Sequence, residues 1–216
     1  MRRYAATILP HIMMNSSNDA ELLRAEIAAA AARMIAEDGA DYGTAKRKAA
    51  RQILGDVRVR GDVLPDNAQI EEEVRIYNEI FFGDTQPARL LRLRTIALEV
   101  MTELAQFSPY LTGAVLNGTA GAHSDIHLQL FADSPKDVEV YLMNKGINFE
   151  VSETPHFRSR GEAVETVSFM QENEGVHLAL YEFDDLRAGK KSTDSGRADR
   201  ASLEAVRALI KETGSE

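Results

Sequence analysis

Asp125 and His127 are the residues of this sequence whose types and spacing most clearly suit chemistry. They stand two positions apart in an alternating apolar segment, and residues i and i+2 of a strand share one face. A later apolar run, which we also predict to be a strand, carries His177 near its start. A carboxylate and two imidazoles are ligands that transition metals accept. The sequence therefore predicts a candidate metal site made of Asp125, His127 and His177.

A glycine bend precedes this acid. Gly118 and Thr119 follow an apolar run at residues 111–116, and Ser124 comes directly before Asp125. Glycine lets the backbone approach a phosphate closely, and a neighbouring hydroxyl or amide can hydrogen-bond a phosphate oxygen. We therefore expect a strand, turn and strand here, in which the nucleotide-binding residues are Asn117, Gly118, Thr119 and Ser124.

This arrangement resembles the signature of the polymerase-beta-type nucleotidyltransferase superfamily. In that signature a strand, Gly-Ser, a short spacer and Asp-x-Asp hold a nucleotide's triphosphate and its magnesium. The resemblance covers residues 111–185 and implies a nucleotide or phosphorylated partner, a divalent metal and Asp125 as the catalytic residue. His127 and His177 stand where the family has its second and third acids, and imidazole suits a transition metal better than magnesium. The resemblance thus implies a divergent member, with magnesium or a transition metal as cofactor.

Several uses of this cluster stay open from the sequence. It could be a transition-metal centre, or a nucleotide-binding domain without catalysis. It could also be an active transferase that combines Asp125 with a further acid near the end of the last strand, namely Glu182, Asp184 or Asp185. A fourth interpretation has Asp125 capping a turn and both histidines serving as ordinary surface or core residues.

The composition is that of an ordinary globular protein. The chain has 216 residues, of which 44% are hydrophobic and 27% are charged, enough for one large or two small domains. It contains no cysteine, which excludes disulfide frameworks and cysteine-based zinc fingers. No apolar run approaches the ~18 residues of a membrane span, and the first residues lack a convincing signal-peptide cleavage region. We expect a cytoplasmic protein with no membrane contact.

Basic segments suggest further partners. Residues 42–60 carry many cations and a single acid, although the whole chain has a net charge of −9. Such a patch attracts nucleic-acid phosphates, so the alternative function is a non-catalytic adaptor or nucleic-acid-associated protein using this helix. Its cations are Lys46, Arg47, Lys48, Arg51, Arg58 and Arg60. A solvated helix face explains the same charges. In residues 187–200, a predicted mobile loop, Lys190 and Lys191 are expected to contact a bound nucleotide's phosphates.

The hydrophobic period divides the chain in two. Up to residue 107, apolar residues recur at helical spacing in four segments, which start near Asn18, Tyr42, Asp66 and Pro87. Beyond that point we predict strands at 111–116, 126–131, 147–151, 163–171 and 176–183, and helices at 133–145 and 202–212. The predicted fold class is α+β: a helical domain at 1–107 and a nucleotidyltransferase-like domain at 108–216, with a mixed β-sheet core and flanking helices.

Overall fold

The computed structural model describes residues 17–55, 63–156, 161–188 and 199–213. Four helices come first: α1 (Ser17–Asp38), α2 (Tyr42–Leu54), α3 (Asn67–Phe82) and α4 (Gln86–Glu103). Their boundaries follow local chemistry. Asp41 caps α2 by accepting from the Thr44 amide at 2.9 Å, and Asp66 and Gln69 form a reciprocal capping box at the start of α3. The four predicted helices are confirmed.

A mixed sheet of six strands occupies the second half. In chain order the elements are β1 (Tyr110–Thr112), α5 (Gly113–Asn117), β2 (Ile126–Ala132), α6 (Pro135–Asn144), β3 (Glu150–Pro155), β4 (Ala163–Gln171), β5 (Glu174–Glu182), α7 (Phe183–Ala188), β6 (Ala201–Ser202) and α8 (Leu203–Thr213). The strand order across the sheet is β3-β4-β5-β2-β1-β6. Only β2 and β5 pair in parallel, and the other neighbours are antiparallel. The predicted α+β class is confirmed.

Several predicted elements need correction. The expected strand at 111–116 is wrong, because β1 ends at Thr112 and the chain continues as the short helix α5. A local apolar run has no period that separates a strand from a buried helix turn. The strand expected at 147–151 begins only at Glu150, since Ile147 packs against the apolar core ahead of the strand. Helix α7 and strand β6 are not among the elements that the sequence predicts.

Two apolar clusters build the interior. The first joins one face of the sheet to α4, α5, α6 and α8. Its largest fully buried side chains include Leu93, Ile96, Met101, Leu111, Ile126, Leu128, Leu130, Leu142 and Leu178. The second cluster lies among α1, α2 and α3, where small alanines let the helices approach closely. Helix α4 therefore packs with the sheet, although it precedes the residue 107 boundary expected from the sequence. None of the described helices is long and apolar enough to cross a membrane.

Candidate functional site on the open sheet face

The two faces of the sheet differ in how far helices cover them. The side chains of Ile126, Leu128 and Leu130 lie on the face buried under the helices. Their neighbours on β2 point to the other side, where His127 is exposed and Gln129 is half-buried. We call this second side, with Thr112, His127, Gln129, Ser168 and His177, the open sheet face.

Three strands bring the predicted site residues together on the open sheet face. The parallel register of β2 and β5 places His127 directly beside His177, and the antiparallel register of β4 and β5 places Ser168 on the other side of His177. Asp125 comes immediately before β2. The sequence-based expectation that Asp125, His127 and His177 lie near one another is met in the structure.

Asp125, His127, Ser168 and His177 form a cluster in which each of the other three side chains contacts the His177 ring. Its Nε2 lies 3.2 Å from Oδ2 of Asp125, and its Nδ1 lies 2.8 Å from Oγ of Ser168. The His127 ring stacks on the His177 ring, with centroids 4.9 Å apart and planes 17° from parallel. The side chains of His177 and Asp125 are 31% and 49% exposed, so the cluster faces solvent.

Two glycines leave room for the cluster. A Cβ added at Gly175 would lie 2.6 Å from Oδ1 of Asp125, which is closer than any normal contact. The Asp125 carboxylate therefore occupies the space where another residue would carry its side chain. Gly113 makes the bend between β1 and α5 at a φ of +69°, and a Cβ there would meet the His127 ring at 3.9 Å. A glycine bend does adjoin the cluster, and it is Gly113, five positions before Gly118.

The electrostatics of the cluster favour a neutral His127. Desolvation by the surrounding protein lowers the pKa of this imidazole, and the neighbouring His177 ring lowers it further, while Asp125 opposes both. The residue is nevertheless exposed on the open sheet face. His127 is therefore an uncharged ring available for stacking or hydrogen bonding near neutral pH.

The donor set does not fit magnesium in this arrangement. Magnesium takes oxygen ligands, and the cluster offers one carboxylate and two imidazoles. Both nitrogens of His177 are already hydrogen-bonded within the protein. Stacked rings also hold their lone pairs in parallel planes, so these do not converge on one ion. Over the described ranges, no three His, Asp or Glu side chains are grouped to hold a metal. A metal site at Asp125, His127 and His177 stays a prediction.

The predicted nucleotide-binding residues lie in a different setting. The backbone carbonyls of residues 115–122, which we call the tethered segment, accept hydrogen bonds from side chains of α3 and α4. The donors are Arg94 to Val115 and Leu116, Arg75 to Asn117, Gln86 to Gly118 and Ala120, Asn78 to Thr119, and Arg89 to Gly121 and Ala122. This segment connects the helical half to the sheet.

Side chains in the tethered segment and directly after it also accept hydrogen bonds from neighbouring residues. Oδ1 of Asn117 accepts from the amide of Thr119 at 3.0 Å and from its hydroxyl at 2.7 Å, and Thr119 is only 4% exposed. Oγ of Ser124 accepts from the Gly121 amide at 3.0 Å. Gly118 ends α5 at a φ of +86°. These polar groups have structural partners within the protein, and their nucleotide-binding role stays a prediction.

An ion-pair cluster connects the tethered segment to the edge of the open sheet face. Arg89 and Arg92 on α4 both bind the carboxylate of Glu174, the residue before Gly175. The Arg89 hydrogen bonds lower the pKa of the Glu174 carboxyl, and the same contact raises the pKa of Arg89. Glu174 is 9% exposed, so this pairing fixes the start of β5, and with it the position of His177.

Other candidate residues lie elsewhere. Glu182 is the last residue of β5, roughly 16 Å from His177 at ~3.3 Å per strand residue, and Asp184 and Asp185 follow it in α7. Asp185 lies there 3.3 Å from Nε2 of His156. The structure does not bring these acids together with Asp125. Strands β2 and β5 run in parallel, so Asp125 lies beside the first residues of both strands, whereas the acids lie at or beyond the last residue of β5. Lys190 and Lys191 lie outside the described residues.

The basic helix of the alternative function is α2. Its Arg47, Lys48 and Arg51 are exposed, while Lys46 is half-buried and donates to Oδ1 of Asn67 at 3.2 Å. Ala45, Ala49 and Ala50 form the buried side. Nucleic-acid binding through this face stays a prediction. Arg58 and Arg60 fall outside the described ranges.

Comparison with known proteins does not assign this site. No protein-family model, no curated protein and no solved structure matches the chain.

Proposed function

We propose that the protein is a divergent nucleotidyltransferase-like protein that binds a nucleotide or another phosphorylated molecule at the open sheet face. The observation that carries the proposal is the parallel register of β2 and β5, which pairs His127 with His177 beside Asp125. These are the positions at which the resemblance implies three acids on two neighbouring strands. The Gly113 bend, next to the His127 ring, stands where the resemblance implies a glycine after the first strand.

The chemistry of the cluster limits what is proposed. One carboxylate and two imidazoles replace three acids, so two-magnesium transfer has no support from these side chains. A phosphorylated ligand commonly brings its own divalent cation, bound mainly through phosphate oxygens. The proposal is therefore binding at this face, with Asp125 next to the cation that accompanies the ligand and no transfer step assigned.

Thermal unfolding with candidate ligands tests the proposal. The full chain is heated with nucleoside triphosphates or inorganic triphosphate, in separate runs with magnesium, manganese, zinc or EDTA. A ligand at 100 times its Kd stabilises the folded state by about 2.7 kcal/mol, which is a readily measured rise in Tm. We expect such a rise with at least one nucleotide and cation.

Two variants localise the effect. Asp125→Ala should abolish the ligand-dependent rise, whereas Asp133→Ala, an exposed acid just beyond the other end of β2, should keep it. The proposal fails if no phosphorylated ligand raises Tm in any condition, or if Asp125→Ala responds as the wild type does.

A further inference from the structure

Ser168, His177 and Asp125 form a continuous hydrogen-bonded chain through the two nitrogens of one ring. An ionised carboxylate only accepts hydrogen bonds, so the His177 Nε2 that faces Asp125 at 3.2 Å must carry a proton. In a neutral imidazole the other nitrogen then has a free lone pair. The contact of 2.8 Å between Nδ1 and Oγ is therefore a bond in which the Ser168 hydroxyl donates to His177.

These three roles are those of an activated serine. A serine becomes a nucleophile when a base takes its proton and a third group orients that base. We propose that Ser168 is such a nucleophile, that His177 is its base, and that Asp125 is the positioning residue that fixes the His177 ring. This activity goes beyond the proposed function and does not depend on it.

The sheet holds Ser168 and His177 in fixed register, and Asp125 directly precedes β2. Ser168 lies in the middle of β4, paired with Glu150 of β3 on one side and with His177 of β5 on the other. The Asp125 carboxylate packs directly against Gly175, in space that a Cβ at that position would fill. Sites built on strands keep their geometry better than sites on loops, and a nucleophile and its base must stay within hydrogen-bond distance.

Charge selects the class of substrate. Asp125 is the charged member of the relay, and the adjacent His127 ring stacks on the His177 ring. Without an accompanying cation, a polyanion near Ser168 would be repelled by Asp125, whereas an uncharged ester would not. The electrophile that suits this relay is therefore a neutral ester that reaches it across the open sheet face.

A fluorophosphonate probe tests the nucleophile directly. In the reaction the Ser168 Oγ attacks phosphorus, an oxygen–phosphorus bond forms, the phosphorus–fluorine bond breaks, fluoride leaves, and the serine proton passes to Nδ1 of His177. The full chain is treated in EDTA without nucleotide, and peptide mass spectrometry locates the adduct. We expect one adduct, on Ser168. Because wild-type protein suffices, this measurement is independent of any folding defect in a variant.

Ser152 provides the matched control. It is exposed on β3, in the same sheet, and its hydroxyl donates to the carbonyl of Thr166 at 3.4 Å, with no imidazole partner in the part of the chain that the structure describes. Labelling should persist in Ser152→Ala and disappear in Ser168→Ala. An adduct spread over exposed serines, or no adduct on Ser168, overturns the proposal.

Base and positioning roles have separate readouts. His177→Gln, which cannot take up the proton, should slow labelling by about 100-fold or more. Asp125→Asn should also slow it without an equal loss of Tm, and Asp125→Glu should restore part of the rate. An unchanged labelling rate in His177→Gln contradicts the proposed base, and an unchanged rate in Asp125→Asn contradicts the positioning role.

Discussion

The tethered segment and the open sheet face are adjacent in sequence and differ in how their polar groups are used. In the tethered segment, successive backbone carbonyls accept hydrogen bonds from side chains of α3 or α4, and Thr119 is buried. On the open sheet face, Asp125, His127 and His177 bond or stack with one another and stay partly exposed. Polar groups that are both paired and buried inside a protein have little left to offer a ligand.

This difference separates two kinds of residue that are alike in sequence. Gly, Thr and Asn beside an acid are typical both of a phosphate loop and of a structural connection. What distinguishes them is the partner: the carbonyls of residues 118 and 120 accept from Gln86, more than thirty positions earlier. The buried Asn78 donates to the Thr119 carbonyl in the same way. The lesson is that the polar groups left for a ligand, and with them the candidate site, begin at Asp125.

Removing Arg94 should give the largest effect and tests the structural half of the comparison. Arg94 is 7% exposed and donates to the carbonyls of Val115 and Leu116, at 3.1 and 3.3 Å, and to Oγ1 of Thr213 at 2.9 Å. Arg94→Met leaves these acceptors without their donor, which we expect to destabilise the protein by about 2 kcal/mol. Urea unfolding measures the change.

Arg33→Met is the matched control for Arg94. Arg33 is an exposed arginine that pairs with Glu37 at the surface of α1. Surface ion pairs contribute ~0–1 kcal/mol, so this variant should unfold close to the wild-type midpoint. Equal destabilisation by the two variants would contradict a structural role specific to the tethered segment.

A methyl group at Gly175 should have an intermediate effect, confined to the open sheet face. The new Cβ of Gly175→Ala would lie 2.6 Å from Oδ1 of Asp125, so the carboxylate must move away from His177. We expect the imidazole NMR signals of His177 to shift while Tm changes by only a few degrees. Gly121→Ala is the control, because a Cβ there meets no atom of the described residues within 4 Å. If the His177 signals in Gly175→Ala match those of the wild type, the described contact is wrong.

The smallest expected effect is a pH dependence caused by His127. Since desolvation lowers the pKa of this ring in the folded protein, the unfolded chain binds a proton more readily. The folded state therefore loses stability as the pH falls below the unfolded imidazole value of about 6.5, and this loss is absent at higher pH.

A variant isolates this contribution. His127→Gln cannot be protonated, so its Tm should fall less than the wild-type Tm between about pH 7.5 and 5.5. Thermal unfolding at a series of pH values measures the slopes. Parallel curves for the two proteins would show that His127 does not titrate as described.

The hairpin between β4 and β5 shows how far sequence reasoning reached. The predicted strands at 163–171 and 176–183 leave residues 172–175 for the turn, but only Glu172 and Asn173 form it, at φ values of 51° and 64°. Two residues with positive φ make the tight turn that suits a hairpin. The register set by this turn pairs Ser168 with His177. Pairing residues outward from a two-residue turn would have placed Ser168 opposite His177, and this was the one sequence signal that could have found Ser168.

Gly113 shows where sequence reasoning stopped. It directly follows β1, yet the apolar residues around it suggested that the strand continued, and Gly118 looked like the more natural bend. Only the packing of Val115 into the core, with α5 turned beneath the sheet, distinguishes the two glycines. No local pattern carries that information.

The sequence by itself determined the four leading helices, most of the strands and the α+β class, because hydrophobic period and capping residues act over a few neighbouring positions. It also identified Asp125, His127 and His177 by residue type and spacing. Only the tertiary structure decided that Arg94, Gln86 and Asn78 hold the loop in place and that Ser168 joins His177. Those contacts connect distant positions, and their hydrogen-bond partners exist only once the helices and the sheet have packed together.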